Sequence, residues 1–435
     1  MDLLPTDPPT SRVLIVAEHA SARFGGEAIL PLHYFRVLRN RGVEAWLIVH
    51  ARTRDELSAL FASDLDRIHF IPDSAFHKFL FMIGKPLPGQ LRHFSTGFLS
   101  RLSSQRQARR VARQLIARHA IDIVHQPIPV SPKESSILYG LGVPVVIGPM
   151  NGGMSYPPGF TRSQGKVTAA FMRIGRLFSG VLNRLMPGKL RAAALLVANE
   201  RTARALPKGI RGQVITLVEN GVDLSIWKPI DRPRQAPGPV RFAFTGRLVD
   251  WKAVDILLDA FKQVAAQCDA TLDLFGSGPM RESLENQARA LGLDAKVKFH
   301  GWVAQADCAA LLGTMDALVL PSLYECGGAV VLEAMAMGLP VIATDWGGPA
   351  DYLDASCGIL VPPTTRGQFV HDLAAAMVKL AQSPGLRREL GQAGRRKVEE
   401  AFDWERKGDR ILQIYGTFSL PSSQNSNAPQ ATSRR

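Results

Sequence analysis

Short apolar runs, rich in Val, Ile and Leu and too brief to be helices, recur along this chain between segments of helical periodicity. Those at 12–17 (RVLIVA), 44–50, 121–125, 143–147 and 194–198 have the continuous apolarity of strands buried on both faces. Such strands need helices above and below them, so the rhythm predicts a doubly wound parallel α/β sheet. The first helix is expected over 27–40, closed near Gly42. At 227–239 the sequence WKPIDRPRQAPGP carries four prolines and interrupts the pattern. The rhythm then restarts, with strands at 240–245, 271–275, 297–300, 317–320 and 341–344 and a helix at 253–266. The chain therefore divides into a first α/β domain at 11–226, a linker at 227–239 and a second α/β domain at 240–400. A closing helix follows at 401–416. The ends, 1–10 and 417–435, are expected to be disordered, the tail for its Ser, Asn, Gln and Pro.

With 435 residues and 46% hydrophobic side chains, the chain can bury two substantial cores. No run is fit to span a membrane; the longest charge-free stretch, 135–161, is broken by prolines and glycines. The opening MDLLPTDPPT has acids and prolines where a secretory signal needs a basic start, and the four cysteines lack metal-ligand spacing. A reduced, cytoplasmic setting is the expectation.

Charge is unevenly distributed. Residues 1–235 hold 32 Lys and Arg against 16 Asp and Glu, and the remainder 20 against 22. The excess predicts an anionic partner for the first domain. It is densest at 75–119, with nine basic residues and no acid, and at 161–191, with seven and none. Both stretches also carry large apolar side chains: Phe76, Phe79, Leu80, Phe81 and Met82 in the first, Phe171, Met172, Ile174 and Leu177 among those in the second. Basic and apolar residues interleaved on helices suit an anionic membrane surface. The competing reading packs the apolar residues on the sheet and leaves the cations solvated.

Doubly wound domains bind ligands at the carboxyl ends of their strands, so the loops there carry the chemistry. The stretch 321–338 (PSLYECGGAVVLEAMAMG) ends a strand, passes Glu325 and opens an apolar helix at Gly327-Gly328, with Glu333 inside that helix. Free amides at a helix start suit a phosphate, and a carboxylate among apolar neighbours needs donors such as a ribose diol. An acid is also simply favoured near a helix start. At 245–252, TGRLVDWK sets Arg247 and Lys252 in another strand-end loop; such cations grip phosphate or are merely solvated. The LFGSGP run at 274–279 begins like a dinucleotide fingerprint, yet Met280-Arg281 stand where the third glycine belongs.

Taken together, these stretches resemble the family-4 retaining glycosyltransferases, also called glycosyl transferases group 1. The resemblance rests on N-G-V-D at 220–223, G-R-L-x-x-x-K at 246–252, G-S-G-P at 276–279, the paired Glu325 and Glu333, T-x-x-G-G at 344–348 and F-D-W at 402–404. It covers most of 195–416 and is looser before that. It implies the GT-B fold, two Rossmann-like domains facing a central cleft, with the acceptor on the first domain and a nucleotide sugar on the second. It implies that Arg247 and Lys252 neutralise the donor diphosphate, that Glu333 binds the ribose, and that Glu325 holds the transferred sugar. The amides around Gly327, Gly328, Ala329 and Val330 would cradle the nearby phosphate. Gly25 and Gly26 would let the first domain approach the donor, and Gly276 and Trp302 would wall the base.

The implied activity is transfer of a hexosyl unit from a UDP- or GDP-linked donor to a hydroxyl of a glycan or lipid-linked acceptor, in polysaccharide or glycolipid synthesis. The implied enzyme is metal-independent and without a cofactor; it is expected in the cytoplasm, where the basic and apolar stretches would let it sit on the cytoplasmic face of the membrane. The D-x-D at Asp64-Leu65-Asp66 reads as solvated surface.

The chain departs from the family pattern at Ala253, Cys326, Asp351 and Thr364-Thr365, and above all at 147–153 (IGPMNGG), where many relatives carry a histidine after the strand. His125 is the candidate substitute for that catalytic group, or else a structural residue of the core. Two other classes compete. A dinucleotide-dependent oxidoreductase should show G-x-G-x-x-G followed by an acid about 20 residues on, and neither half does. A nucleic-acid binder would fit the basic half but lacks a recognition motif, with aromatics at only 7%.

Overall fold

The computed structural model describes residues 11–24, 26–86, 92–163, 179–229 and 238–419. In the first domain, β1 (Val13–Val16), β2 (Ala45–His50), β3 (Ile68–Ile71), β4 (Ile123–Gln126), β5 (Val145–Met150), β6 (Ala194–Val197) and β7 (Gln213–Thr216) form one sheet in the order 3-2-1-4-5-6-7. Every pairing is parallel, for example Ile15 opposite Leu47 on one side and opposite His125 on the other. Alternation along each strand divides the core in two. Val13, Ile15, Leu47 and Val49 face the Ile29–Asn40 helix, while Leu14, Val16 and Ile48 face the Phe98–His119 helix with its buried Ala108, Ala112 and Leu115.

The second domain repeats the plan. Its strands β8 (Val240–Thr245), β9 (Ala270–Phe275), β10 (Val297–Gly301), β11 (Ala317–Leu320), β12 (Val341–Thr344) and β13 (Gly358–Val361) lie in the order 10-9-8-11-12-13. Both sheets therefore change winding direction beside their first strand, opening a crevice there. Strands β3, β7 and β13 go beyond the sequence expectation. Each lies at a sheet edge and is only partly covered (β7 has no buried residue); β3 and β7 lack the continuous apolar run that marks an interior strand, whereas β13 is a short one, GILV.

The chain passes between domains earlier than the prolines suggest. Val222 and Trp227 are buried in the second domain's core, although the expected boundary lies at 226–227; residues 230–237 of the expected linker lie outside the described residues. It crosses back at Phe402-Asp403-Trp404, where the closing helix begins. The two crossings lie side by side: Val222 N–H donates to Phe402 O at 2.8 Å and Trp404 N–H to Val222 O at 3.1 Å. Asp403 caps the Trp404–Phe418 helix, which buries Trp404, Ile411, Ile414 and Tyr415 against the first domain and runs slightly past the expected end at 416. The expected disordered ends 1–10 and 420–435 lie outside the described residues. No described helix is long and apolar enough to cross a membrane.

Candidate active site

The second domain's crevice is assembled by glycines that let loop backbones touch. Gly246 N–H, just past β8, donates to Phe275 O at 2.9 Å, and Gly276 N–H to Gly301 O at 2.7 Å. A Cβ on Gly276 would lie 1.9 Å from Gly246 O, and its φ of +138° is one that side chains resist. Gly278 is packed in the same way on Leu248 O. The G-S-G-P loop is thus the floor under the 246–252 loop, which is why its glycines do not open onto a pyrophosphate. Trp302 follows directly after β10 and is 77% exposed, free to flank a ligand at that end of the crevice.

Above this floor stand the cations. Arg247 is exposed, and its guanidinium has no hydrogen-bond or ion-pair partner among the described residues. Lys252 turns inward at the end of a short 3-10 turn and forms an ion pair through Nζ with Glu325 Oε2, both groups being largely shielded from solvent. The two carboxylate and cation positions that the sequence linked to one substrate are therefore in direct contact. Ala253, where relatives use glycine, has φ +51° and is buried. That left-handed conformation explains the usual glycine, since a Cβ there costs about 1–2 kcal/mol.

Between β11 and the Ala329–Ala336 helix the chain turns at Gly327 and Gly328, the latter at φ +82° as the residue before the helix. No side chain caps that helix start, leaving the amides around Ala329 and Val330 open. Glu333 lies half-buried in the helix, with no hydrogen-bond or ion-pair partner among the described residues. Burial pushes its carboxyl up to about 7. Cys326, beside Glu325, is held as an inert thiol, raised to about 11 chiefly by burial.

A buried polar network that sequence reasoning missed supports this loop from below. Glu219 Oε1 accepts from Asn151 Nδ2 (2.7 Å), Asn220 Nδ2 (3.0 Å) and Tyr352 OH (3.3 Å). Asn151 Nδ2 also donates to Cys326 O at 2.7 Å, tying the loop after β5 to the loop after β11 across the domain boundary. A Cβ on Gly327 would strike both Asn220 and Glu219. Arg201 and Asn199 of the first domain hold Asp351 of the second at 3.0 and 2.7 Å. Trp346 Nε1–H donates to Ser155 O at 2.8 Å, and Tyr156 stacks on Tyr324. The sequence signals were Asn220 of the N-G-V-D motif, the departure at Asp351, and Asn151-Gly152-Gly153 immediately after a strand.

His125 is corrected. It is fully buried; Nε2–H donates to Gly148 O at 2.6 Å, and Nδ1 accepts from Tyr415 OH at 2.7 Å. Burial lowers its imidazole to about 4, keeping it neutral. It presents no atom to the cleft and fastens the closing helix to the first sheet. Asp64, the first acid of the D-x-D, is paired with Arg39 at 2.8 Å, and the motif lies in the Ala62–Arg67 turn.

The first domain has its own cavity, about 370 Å³, at the carboxyl ends of β1, β2 and β4. Glu18, His19, Glu27, His50, Glu134 and Arg101 contribute its polar lining. Burial raises Glu18 and Glu27 and lowers His19 and His50, so both pairs tend toward neutrality. Gly26 lines this cavity, with open space where a side chain would be. Gly25 lies outside the described residues.

Residues 239–383 match the family "Glycosyl transferases group 1". The match lies wholly within the second domain. Over 218 residues the chain is 30% identical to a glycogen synthase of Mycobacterium tuberculosis, covering 50% of each protein. Over 212 residues it is 31% identical to a GDP-mannose-dependent monoacylated alpha-(1-6)-phosphatidylinositol monomannoside mannosyltransferase of Corynebacterium glutamicum, covering 45% of this chain and 54% of that protein. The chain spans about half the length of these relatives. Among solved structures, HepE of Anabaena, in complex with UDP and glucose, superposes with a TM-score of 0.64 at 17% identity over 93% of this chain and 100% of that one. WaaG, a glycosyltransferase involved in lipopolysaccharide biosynthesis, gives 0.59 at 16% identity over 92% and 99%. The two-domain GT-B fold therefore extends over both sheets, as the sequence motifs implied.

Proposed function

We propose that the chain is a retaining glycosyltransferase that moves a hexosyl unit from a UDP- or GDP-linked sugar to a hydroxyl group, working in the cytoplasm in polysaccharide or glycolipid synthesis. The observation that carries this is the convergence of Arg247, Lys252, Glu325, Glu333 and an uncapped helix start on one crevice of a group 1 domain. The donor's diphosphate competes with Glu325 for Lys252, taking the cation and freeing the carboxylate for hydroxyls of the sugar. Glu333 in its charged form accepts from the ribose diol. The amides at 327–330 and the positive helix end hold the phosphate nearer the sugar.

In the transfer itself, the bond from the anomeric carbon to the phosphate oxygen breaks. A bond from the acceptor oxygen forms on the same face, and the acceptor's proton passes to the departing phosphate. Arg247, Lys252 and the helix end stabilise the charge that grows on that phosphate. These fixed charges supply what a bound cation would, so activity is expected to survive chelation. The acceptor is assigned to the first-domain cavity, whose Gly26 and Glu27 edge follows β1.

Screening UDP- and GDP-sugars for nucleoside diphosphate release, with lipid extract or glycans as acceptor and with or without chelator, tests the reading. Acceptor-dependent release that resists chelator is the expected result. Release from no nucleotide sugar would overturn the activity, and loss restored only by magnesium or manganese would overturn the metal-independent step.

A further inference from the structure

The Ala75–Gly84 helix (AFHKFLFMIG) is inverted relative to an ordinary surface helix. Only a narrow stripe, His77, Leu80 and Gly84, faces the protein. Phe76, Phe79, Phe81, Met82 and Ile83 are 47%, 51%, 66%, 61% and 45% exposed. Of the apolar residues expected at the surface in this first stretch Leu80 alone is buried, while Phe171, Met172, Ile174 and Leu177 of the second stretch lie outside the described residues. Apolar exposure of this extent on one short helix marks an interaction surface.

The helix is nonetheless firmly placed. Ser74 and His77 form a reciprocal cap at its start, and His77 Nε2 lies 3.0 Å from Ser104 Oγ of the Phe98–His119 helix. At its other end a side chain on Gly84 would meet Thr96 Oγ1 at 2.6 Å and Arg92 Cγ at 3.5 Å. Lys78, Lys85 and Arg92 stand exposed around the apolar groups, Lys85 Nζ lying 5.4 Å from the centre of the Phe81 ring. No acid occurs from 75 to 119. The nearest, Asp73, is engaged by Arg52 at 2.9 Å.

We propose that this helix docks the first domain on an anionic lipid surface. Charge decides the occupant: cations ringing large apolar side chains match anionic headgroups over acyl chains. Ser104, which holds His77, also lines the first-domain cavity, so docking brings that cavity to the membrane. Resting on the acceptor assignment above, this makes the acceptor an amphiphile drawn from the bilayer.

The full chain should pellet with phosphatidylglycerol vesicles and not with phosphatidylcholine vesicles. Pelleting should be lost when salt is raised about tenfold, which shortens the screening length about threefold. The triple variant Phe79→Glu/Phe81→Glu/Met82→Glu, and separately Lys78→Glu/Lys85→Glu, should each lower the bound fraction about tenfold. Thermal unfolding and nucleotide-induced thermal shifts should stay as in the parent chain, and if the triple variant unfolds, the lysine pair carries the test. Absence of pelleting at low salt, or parental pelleting by the lysine variant, would overturn the proposal. So would a dimer in gel filtration that the triple variant dissociates, which assigns the patch to a second copy. A chain that pellets but neither binds nor releases nucleotide would keep the docking surface while removing the glycosyl-transfer reading.

Discussion

Lys252 and Glu325 hold one another, whereas Arg247 and Glu333 have no hydrogen-bond or ion-pair partner among the described residues. On the proposed reading, substrate separates the first pair and fills the second. Replacing Arg247 or Lys252 by Ala should therefore lower turnover by roughly ten- to a thousandfold with the fold intact. Near-parental activity in both variants, in a steady-state assay, would remove these residues from the donor site.

Glu333 sets a pH dependence. Its folded-state pKa is raised from 4.5 to about 7, so its burial costs nothing below pH 4.5 and destabilises the empty protein progressively as pH rises toward 7. Glu333→Gln should accordingly unfold at a higher temperature than the parent chain above pH 7 and at the same temperature near pH 4.5. On the proposed reading nucleotide reverses the ranking, because Glu333 accepts from the ribose as a carboxylate. Affinity of the parent chain for UDP or GDP should rise as pH passes through 7, and that rise should vanish in Glu333→Gln. Calorimetric titration at two pH values checks this.

Among the elements, the loops after β8 and β9 depend on glycine for contact rather than for motion. With a Cβ placed 1.9 Å from Gly246 O, Gly276→Ala forces the floor loop off the 246–252 loop. Expected is a loss of at least about 2 kcal/mol in denaturant unfolding. Nucleotide affinity should fall as well, since Arg247 and Lys252 are displaced with their loop. Gly26 is the contrast. Nothing lies within 4 Å of a Cβ there, so Gly26→Ala should leave stability unchanged and report only on the cavity it lines. Interior strands such as β8, β11 and β12 were legible to the residue, because burial on both faces writes itself as unbroken apolarity. The edge strands β3 and β7 were not, since solvent on one side removes that signature, although the edge strand β10 was.

For the molecule as a whole, the two domains meet through polar side chains as well as apolar contacts such as Phe160 against Phe369. Arg201 and Asp351 bridge them at 3.0 Å, each partly exposed. The Ala substitutions at these two positions should couple by about 1 kcal/mol in a double-mutant cycle of unfolding, and additivity would place the domain contact elsewhere. Glu219, Asn151 and Tyr352 form the buried part of the same boundary beneath the donor loop.

By itself the sequence determined what is local: two doubly wound sheets, the glycine turns, the cations and carboxylates at strand ends, and the closing helix. Each follows from periodicity or from short-range backbone demands written in neighbouring residues. Only the tertiary structure decided whatever depends on partners far apart in the chain. It joined Lys252 to Glu325, set Asn151 under Cys326 O, and moved the domain crossing ahead of the prolines. It also sealed His125 between Gly148 and Tyr415, 290 residues away. A histidine's residue type is the same in a core as in a cleft. Which it occupies is settled by what the folded chain packs against it.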